Sequence, residues 1–197
     1  RIKDPLAQGK AIYDWVADRA IRDPETPALS AGGIDTPPAL ANALGRNAGH
    51  ALLFVALCRA IGLPARPVFG LRCDYSKLFP SLGTLGELNR AFNCRAEFYA
   101  PGYDWIPVNP ADLRQAVLEE KLAPDDGKIT VLKKLLFGFW EMNWIALNAA
   151  LEVTPKDSGA SSLPFLATPF VMSGHGVLDT ADAERFVVSM RASRAES

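Results

Sequence analysis

Between Ala48 and Ile61 the chain carries a helix-length segment that is apolar nearly all the way round, followed directly by Gly62 and Pro64. A helix without a polar face has no side to offer water, so it has to be central, with other elements packed around it. Gly62 and Pro64 are strong stop signals at its C-terminal end. Its uninterrupted apolar run, Ala51 to Cys58, falls well short of the about 20 residues that cross a bilayer. With 197 residues and 49% hydrophobic content, the chain can surround such a helix within one domain, or one domain with an extension.

Composition removes several classes of partner. The 21 basic and 22 acidic residues are interspersed and leave a net charge of −1, so no nucleic acid is expected to bind. Three cysteines (Cys58, Cys73, Cys94) make no disulfide framework, and no CxxC pair suggests a metal. No metal or cofactor is expected. The chain starts at Arg1, so any leader would lie ahead of it, and both cytoplasm and periplasm stay open as compartments.

A pass along the chain predicts mixed architecture. Gln8 to Arg22 places Ala11, Ile12, Trp15, Val16 and Arg19 at helical spacing, with Asp14 and Asp18 on the opposite side. A Pro- and Gly-rich connection follows. Arg66 to Tyr75 reads as a strand interrupted at Gly70, and Ser76 to Phe92 as a surface loop. Cys94–Ala100 and Trp105–Val108 read as a hairpin, joined by the turn chemistry of Pro101-Gly102-Tyr103-Asp104. Beyond Pro110 the pattern predicts a helix over Leu113–Leu122 and a long helix ending near Val153. A Ser/Gly/Pro-rich link and short strands near Phe170 and Phe186–Met190 complete the chain. Helices first and antiparallel strands later indicate α+β.

Three separated segments resemble the transglutaminase-like superfamily, a branch of the papain-like fold, in a bacterial form. The segment Gly45-Arg46-Asn47 leading to Arg59-Ala60-Ile61-Gly62-Leu63-Pro64-Ala65-Arg66 is similar to the family's central helix, which starts at a Gly-x-Cys. Asn93-Cys94-Arg95-Ala96-Glu97-Phe98-Tyr99 resembles the strand that begins with the family's His. Trp105-Ile106-Pro107-Val108-Asn109-Pro110 resembles the segment that closes on its Asp. Leu136 to Trp144 also looks like a stretch that follows the core in one bacterial subgroup. The resemblance implies a central buried helix on an antiparallel sheet, with residues 1–112 as the core. Residues 113–197 are then a helical C-terminal extension packed on it.

The resemblance puts asparagine at all three triad positions: Asn47, Asn93 and Asn109. A primary amide donates and accepts hydrogen bonds but is neither a useful nucleophile nor an acid or base near neutral pH. Losing a whole comparable triad costs a factor of roughly 10⁶ in turnover. Each asparagine also has an ordinary structural use: Asn47 as a helix cap, Asn109 as a turn opener before Pro110, Asn93 as a loop end. Their coincidence at three matched positions favours a replaced triad.

Replacement chemistry has thin support. His50, one turn after Asn47, shares its helix face and is expected to be partly exposed, most simply without a catalytic task. Cys94 neighbours Asn93 on a strand and so faces away from it, and Cys58 lies about 16 Å further along the helix. His175 reads as a turn residue. Arg95 and Glu97 share Asn93's strand parity and, with His50 and Tyr103, are candidate cleft residues, although Tyr103 fits core equally well. The leading expectation is a catalytically degenerate protein that binds a peptide, a glycopeptide or a protein in the inherited cleft. The alternatives are a hydrolase or acyltransferase with rearranged chemistry, or an assembly module built around Trp140 and Trp144.

Overall fold

The computed structural model describes residues 2–22, 45–88, 91–154, 163–173, 176–179 and 185–193. Helix α1 (Pro5–Arg22) and helix α2 (Gly45–Ala60) precede the strand β1 (Ala65–Arg72). A 3-10 turn (Pro80–Leu82) and β2 (Gly86–Glu87) lead to the hairpin β3 (Phe92–Ala100) and β4 (Asp104–Val108). Helices α3 (Pro110–Glu119) and α4 (Gly127–Leu135) come next. The strands β5 (Trp144–Asn148), β6 (Leu151–Val153), β7 (Leu163–Phe165), β8 (Phe170–Ser173), β9 (Gly176–Asp179) and β10 (Arg191–Ala192) follow them.

The main sheet has the order β4-β3-β1-β5, with every neighbouring pair antiparallel. Helix α2 packs on β3 and β1, and α1 and α3 flank it. The expectation drawn from its all-round apolarity holds for one side, where Ala51, Phe54 and Cys58 are fully buried, while Ala56, Arg59 and Ala60 are exposed on the other. Phe98 of β3 meets Phe54 edge-on at 5.9 Å between ring centroids. A Cβ on Gly9 would lie 2.3 Å from the Phe98 ring, so a glycine is what lets α1 settle this closely on the sheet. Helix α1 is also tied to α4 by the Tyr13 hydroxyl, which donates to the Lys133 carbonyl at 2.8 Å.

The predicted hairpin is present, with Tyr99 opposite Trp105 and Ala100 opposite Asp104. Gly102 and Asp104 both take positive φ in its turn. The α+β class stands, and four departures from the sequence reading are informative. First, β1 runs through Gly70 without a break, and the irregularity there is a register shift against β5. Second, the span read as a surface loop buries Leu82 and Leu88. Third, no long helix reaches Val153. Helix α4 ends at Leu135, Gly138 turns the chain at φ 94, and Trp144–Asn148 becomes the edge strand of the main sheet. A short apolar run is compatible with either state, and the free edge of β1 decides it. Fourth, residues 186–190 form no strand, and the nearby pairing is Arg191–Ala192 against Gly86–Glu87. The predicted connection after Pro24, the link after Pro155 and His175 lie outside the described residues. Among the described residues no helix is long and apolar enough to cross a membrane.

Candidate functional site

The polar centre of the domain forms where the ends of β1 and β3 meet the start of α3. Asn109 caps α3: its side-chain oxygen accepts from the Asp112 amide at 3.0 Å, and Pro110 occupies the first turn, where its missing N–H costs nothing. The cap fixes Asp112 on the first turn, with its carboxylate facing the sheet. Arg72, the last residue of β1, donates to Asp112 Oδ1. Asn93 Nδ2 donates to the same oxygen at 3.0 Å. Arg95, two residues on and so on the same strand face, reaches Oδ2 at 3.4 Å and donates to the Glu141 carbonyl at 2.8 Å. Its guanidinium lies 4.7 Å from the centroid of the Trp144 ring.

All five residues are buried, with Asn93 the most exposed at 7%. Burial pushes the Asp112 carboxyl up, but the Arg72 and Arg95 guanidiniums and the hydrogen bonds from Arg72 and Asn93 outweigh it. The net result is a carboxyl held below its ordinary range. Burial likewise drags Arg95 down, opposed chiefly by Asp112. The centre is thus a buried ionic knot, in which each charge is tolerable only because its partners are present, although Asn93 Oδ1 and Asn109 Nδ2 have no hydrogen-bond partner.

The structure brings Asn93, Arg95 and Asn109 together around Asp112: Asn93 bonds its carboxylate, and Asn109 accepts from its backbone amide. Asn47 falls in the first turn of α2, which begins two residues earlier at Gly45, so it is not the helix cap; its side chain lies outside the described residues. His50 is not partly exposed as expected but 1% accessible. Burial first, then the charges of Arg114 and Arg19, lower its pKa to about 3, so the imidazole is neutral. Glu97 pairs with Arg66 at 2.5 Å, and Arg66 in turn sits 4.0 Å over the Trp105 ring. Tyr103 stands at the hairpin turn with 65% of its surface exposed.

The thiols lie elsewhere. Cys94 faces the core, opposite to Asn93 and Arg95, as strand parity demanded, and burial raises its pKa. Burial pushes Cys58 up to about 12. Cys73 is half-buried, with its sulfur 3.6 Å from the Asn143 carbonyl, and burial raises it too. Among the described residues no group of three or more His, Cys, Asp or Glu is placed to hold a metal ion.

Asp112 and Arg72, the hub and one of its clamps, are the residues that sequence reasoning missed. The available signal was the Asn109-Pro110-Ala111-Asp112 pattern itself, an N-cap with an acid three residues on. Among the described residues open space begins beside this knot, at Glu141, whose carbonyl takes the Arg95 bond and which lines a cavity. A cavity of about 800 Å³ lies between residues 77–80 and α4, and an adjoining one of about 480 Å³ between residues 74–78 and residues 139–143.

A family model described as the transglutaminase-like superfamily matches residues 1–110. An uncharacterized protein of Haemophilus influenzae is 30% identical over 195 residues, covering 93% of this chain and 53% of its own length. The chain therefore spans about half the length of this curated relative. No solved structure matches it.

Proposed function

The chain belongs to the transglutaminase-like superfamily, and we propose that it is a catalytically silent member that binds a peptide or protein. Acyl transfer in such a scaffold needs a thiolate, an imidazole to activate it and an acid to orient the imidazole. In the proposed alignment Asn47, Asn93 and Asn109 stand at those positions. The observation that carries the reading is the environment of Asn93 and Asn109. Both amides are engaged with Asp112 inside an ionic knot, and the carboxylate there is spent on two guanidiniums. No thiol faces them from β3, and His50, the histidine among the described residues, is buried and neutral.

The test is an activity measurement under conditions that favour the chemistry. Incorporation of a fluorescent primary amine into casein, and hydrolysis of glutamine-containing peptides, should both stay at the no-protein blank. Iodoacetamide treatment should change nothing. Turnover proportional to protein concentration and abolished by iodoacetamide would overturn the proposal.

A further inference from the structure

The span of residues 74–83 reads as a surface loop in sequence but is built as a wall. Ser76 Oγ donates to Glu141 Oε2 at 2.7 Å and accepts from the Leu78 and Phe79 amides at 3.0 and 3.1 Å. The Lys77 amide donates to Glu141 Oε1. The loop closes on itself where the Thr84 amide donates to the Asp74 carbonyl at 3.0 Å. A Cβ on Gly83 would stand 2.1 Å from the Ser76 nitrogen, so the two ends approach too closely for any larger residue. The facing segment, residues 139–143, is pinned as well: Arg95 donates to the Glu141 carbonyl at 2.8 Å, and the Cys73 amide to the Asn143 carbonyl at 2.9 Å. Walls held in this way need little ordering before they receive a ligand, which removes part of the entropic cost of binding.

The smaller cavity, about 480 Å³ and within the size range of ligand sites, lies between these walls. Asn143 lines it and is only 6% exposed. Its Nδ2 donates to the Leu82 carbonyl at 3.0 Å and to the Asp74 carbonyl at 3.4 Å, which fixes the orientation of the amide. Its Oδ1 is buried and has no hydrogen-bond partner. A buried acceptor left unpaired carries a desolvation cost that an incoming donor would relieve. Two aromatic rings, Tyr75 and Phe139, line the same cavity, and Tyr75 is 64% exposed.

Charge points to a cation. Asp74 and Glu141 bring two negative charges to this lining against the one positive charge of Lys77. The adjoining larger cavity adds Glu120 and Lys128, which balance, so the two cavities together keep one net negative charge. Lys77 makes no ion pair among the described residues. The occupant that suits two carboxylates, an unpaired carbonyl oxygen and two aromatic rings is a flat cation with several N–H donors. An ammonium is a compact, strongly hydrated point charge. A guanidinium is planar, carries five donors, is more weakly hydrated and stacks on aromatic faces. We propose that this cavity, and not the asparagine centre, is a ligand site, and that it takes the guanidinium of an arginine side chain on a peptide. The assignment rests on the reading of the chain as a peptide- or protein-binding domain and names the place and chemistry of that binding.

The experiment is fluorescence anisotropy on the full chain with three dye-labelled, end-blocked peptides: Ala-Ala-Arg-Ala-Ala and its counterparts with Lys or Gln at the centre. The Arg peptide should bind at least about tenfold more tightly than the Gln peptide and at least about threefold more tightly than the Lys peptide. Glu141→Gln and Asp74→Asn, which exchange a charge for an amide of the same shape, should each weaken it by about threefold or more. Tyr75→Ala, at an exposed position where folding is insensitive, should weaken it by about threefold. Lys128→Gln, on the larger cavity alone, should have no effect. Equal binding of the Arg and Gln peptides, no binding of either, or binding indifferent to both Glu141→Gln and Tyr75→Ala overturns the site. Equal binding of the Arg and Lys peptides overturns the guanidinium, and a single end-blocked arginine that binds as tightly as the Arg peptide overturns the peptide. Binding that survives Tyr75→Ala and Glu141→Gln but is lost in Tyr103→Ala overturns this site alone and leaves the proposed function standing. Iodoacetamide-sensitive turnover removes the proposed function and leaves the cavity's ligand preference intact.

Discussion

His50 should make the stability of this protein depend on pH well above the carboxylate range. In the folded chain burial, then Arg114 and Arg19, lower the imidazole's pKa from 6.5 to about 3. In the unfolded chain it titrates near its ordinary value. A depressed folded pKa means that the contribution is complete above about pH 6.5 and is lost as pH falls toward 3, because only the unfolded state takes up the proton. Each pH unit in that window removes about 1.4 kcal/mol, so going from pH 6.5 to 5 costs roughly 2 kcal/mol, and the whole window roughly 5 kcal/mol. Urea unfolding at about pH 7.5, 6 and 5, for the native chain and for His50→Leu, reads this directly. The native chain should lose roughly 2 kcal/mol more than the variant between the first and last of these conditions. His175 is present in both proteins and cancels in the comparison, and Asp112, held below its ordinary range, does not titrate there. Parallel pH dependences for the two proteins would refute a buried, neutral His50.

Three further outcomes follow from the geometry. Asp112→Ala strands the Arg72 and Arg95 guanidiniums in the interior and should cost about 3–5 kcal/mol in denaturant unfolding; a loss under about 1 kcal/mol would show that the knot is not needed. Gly70→Ala would place a Cβ 2.2 Å from the Trp144 ring, so it should destabilise by about 1–3 kcal/mol and weaken the β1–β5 pairing, seen as faster amide exchange in β5. Titration with a thiol reagent should modify Cys73 slowly in the native chain and reach Cys58 and Cys94 only on unfolding; rapid native modification of Cys94 would contradict its place in the core.

How much of this was legible in the chain follows from the range of the interactions concerned. The central place of α2 was readable because the apolarity of a helix is a local property, although Ala56 and Ala60 stay exposed on its outer side. The turn of Cys94 to the opposite face from Asn93 was readable for the same reason, since the alternation of a strand depends on nothing beyond its own backbone. The hairpin at Gly102 and the α+β class belong with them, being written in spacing and turn residues. The edge strand Trp144–Asn148 was not readable, because its apolar residues suit a helix as well as a strand until β1 offers a free edge. His50 looked half-exposed at a helix start, and only the packing that places it near Arg114 and Arg19 buries it. Asp112 is the clearest case. Its own neighbours in sequence mark a helix cap and nothing more. Its partners Arg72, Asn93 and Arg95 stand 40, 19 and 17 residues away and are joined to it by tertiary folding alone. The sequence by itself therefore determined the first helices, the hairpin, the faces of β3 and, through its motifs, the family resemblance, because each rests on residues close together in the chain. Which carboxylate anchors the polar centre, and where the chain leaves an open groove, were decided by contacts that no local pattern encodes.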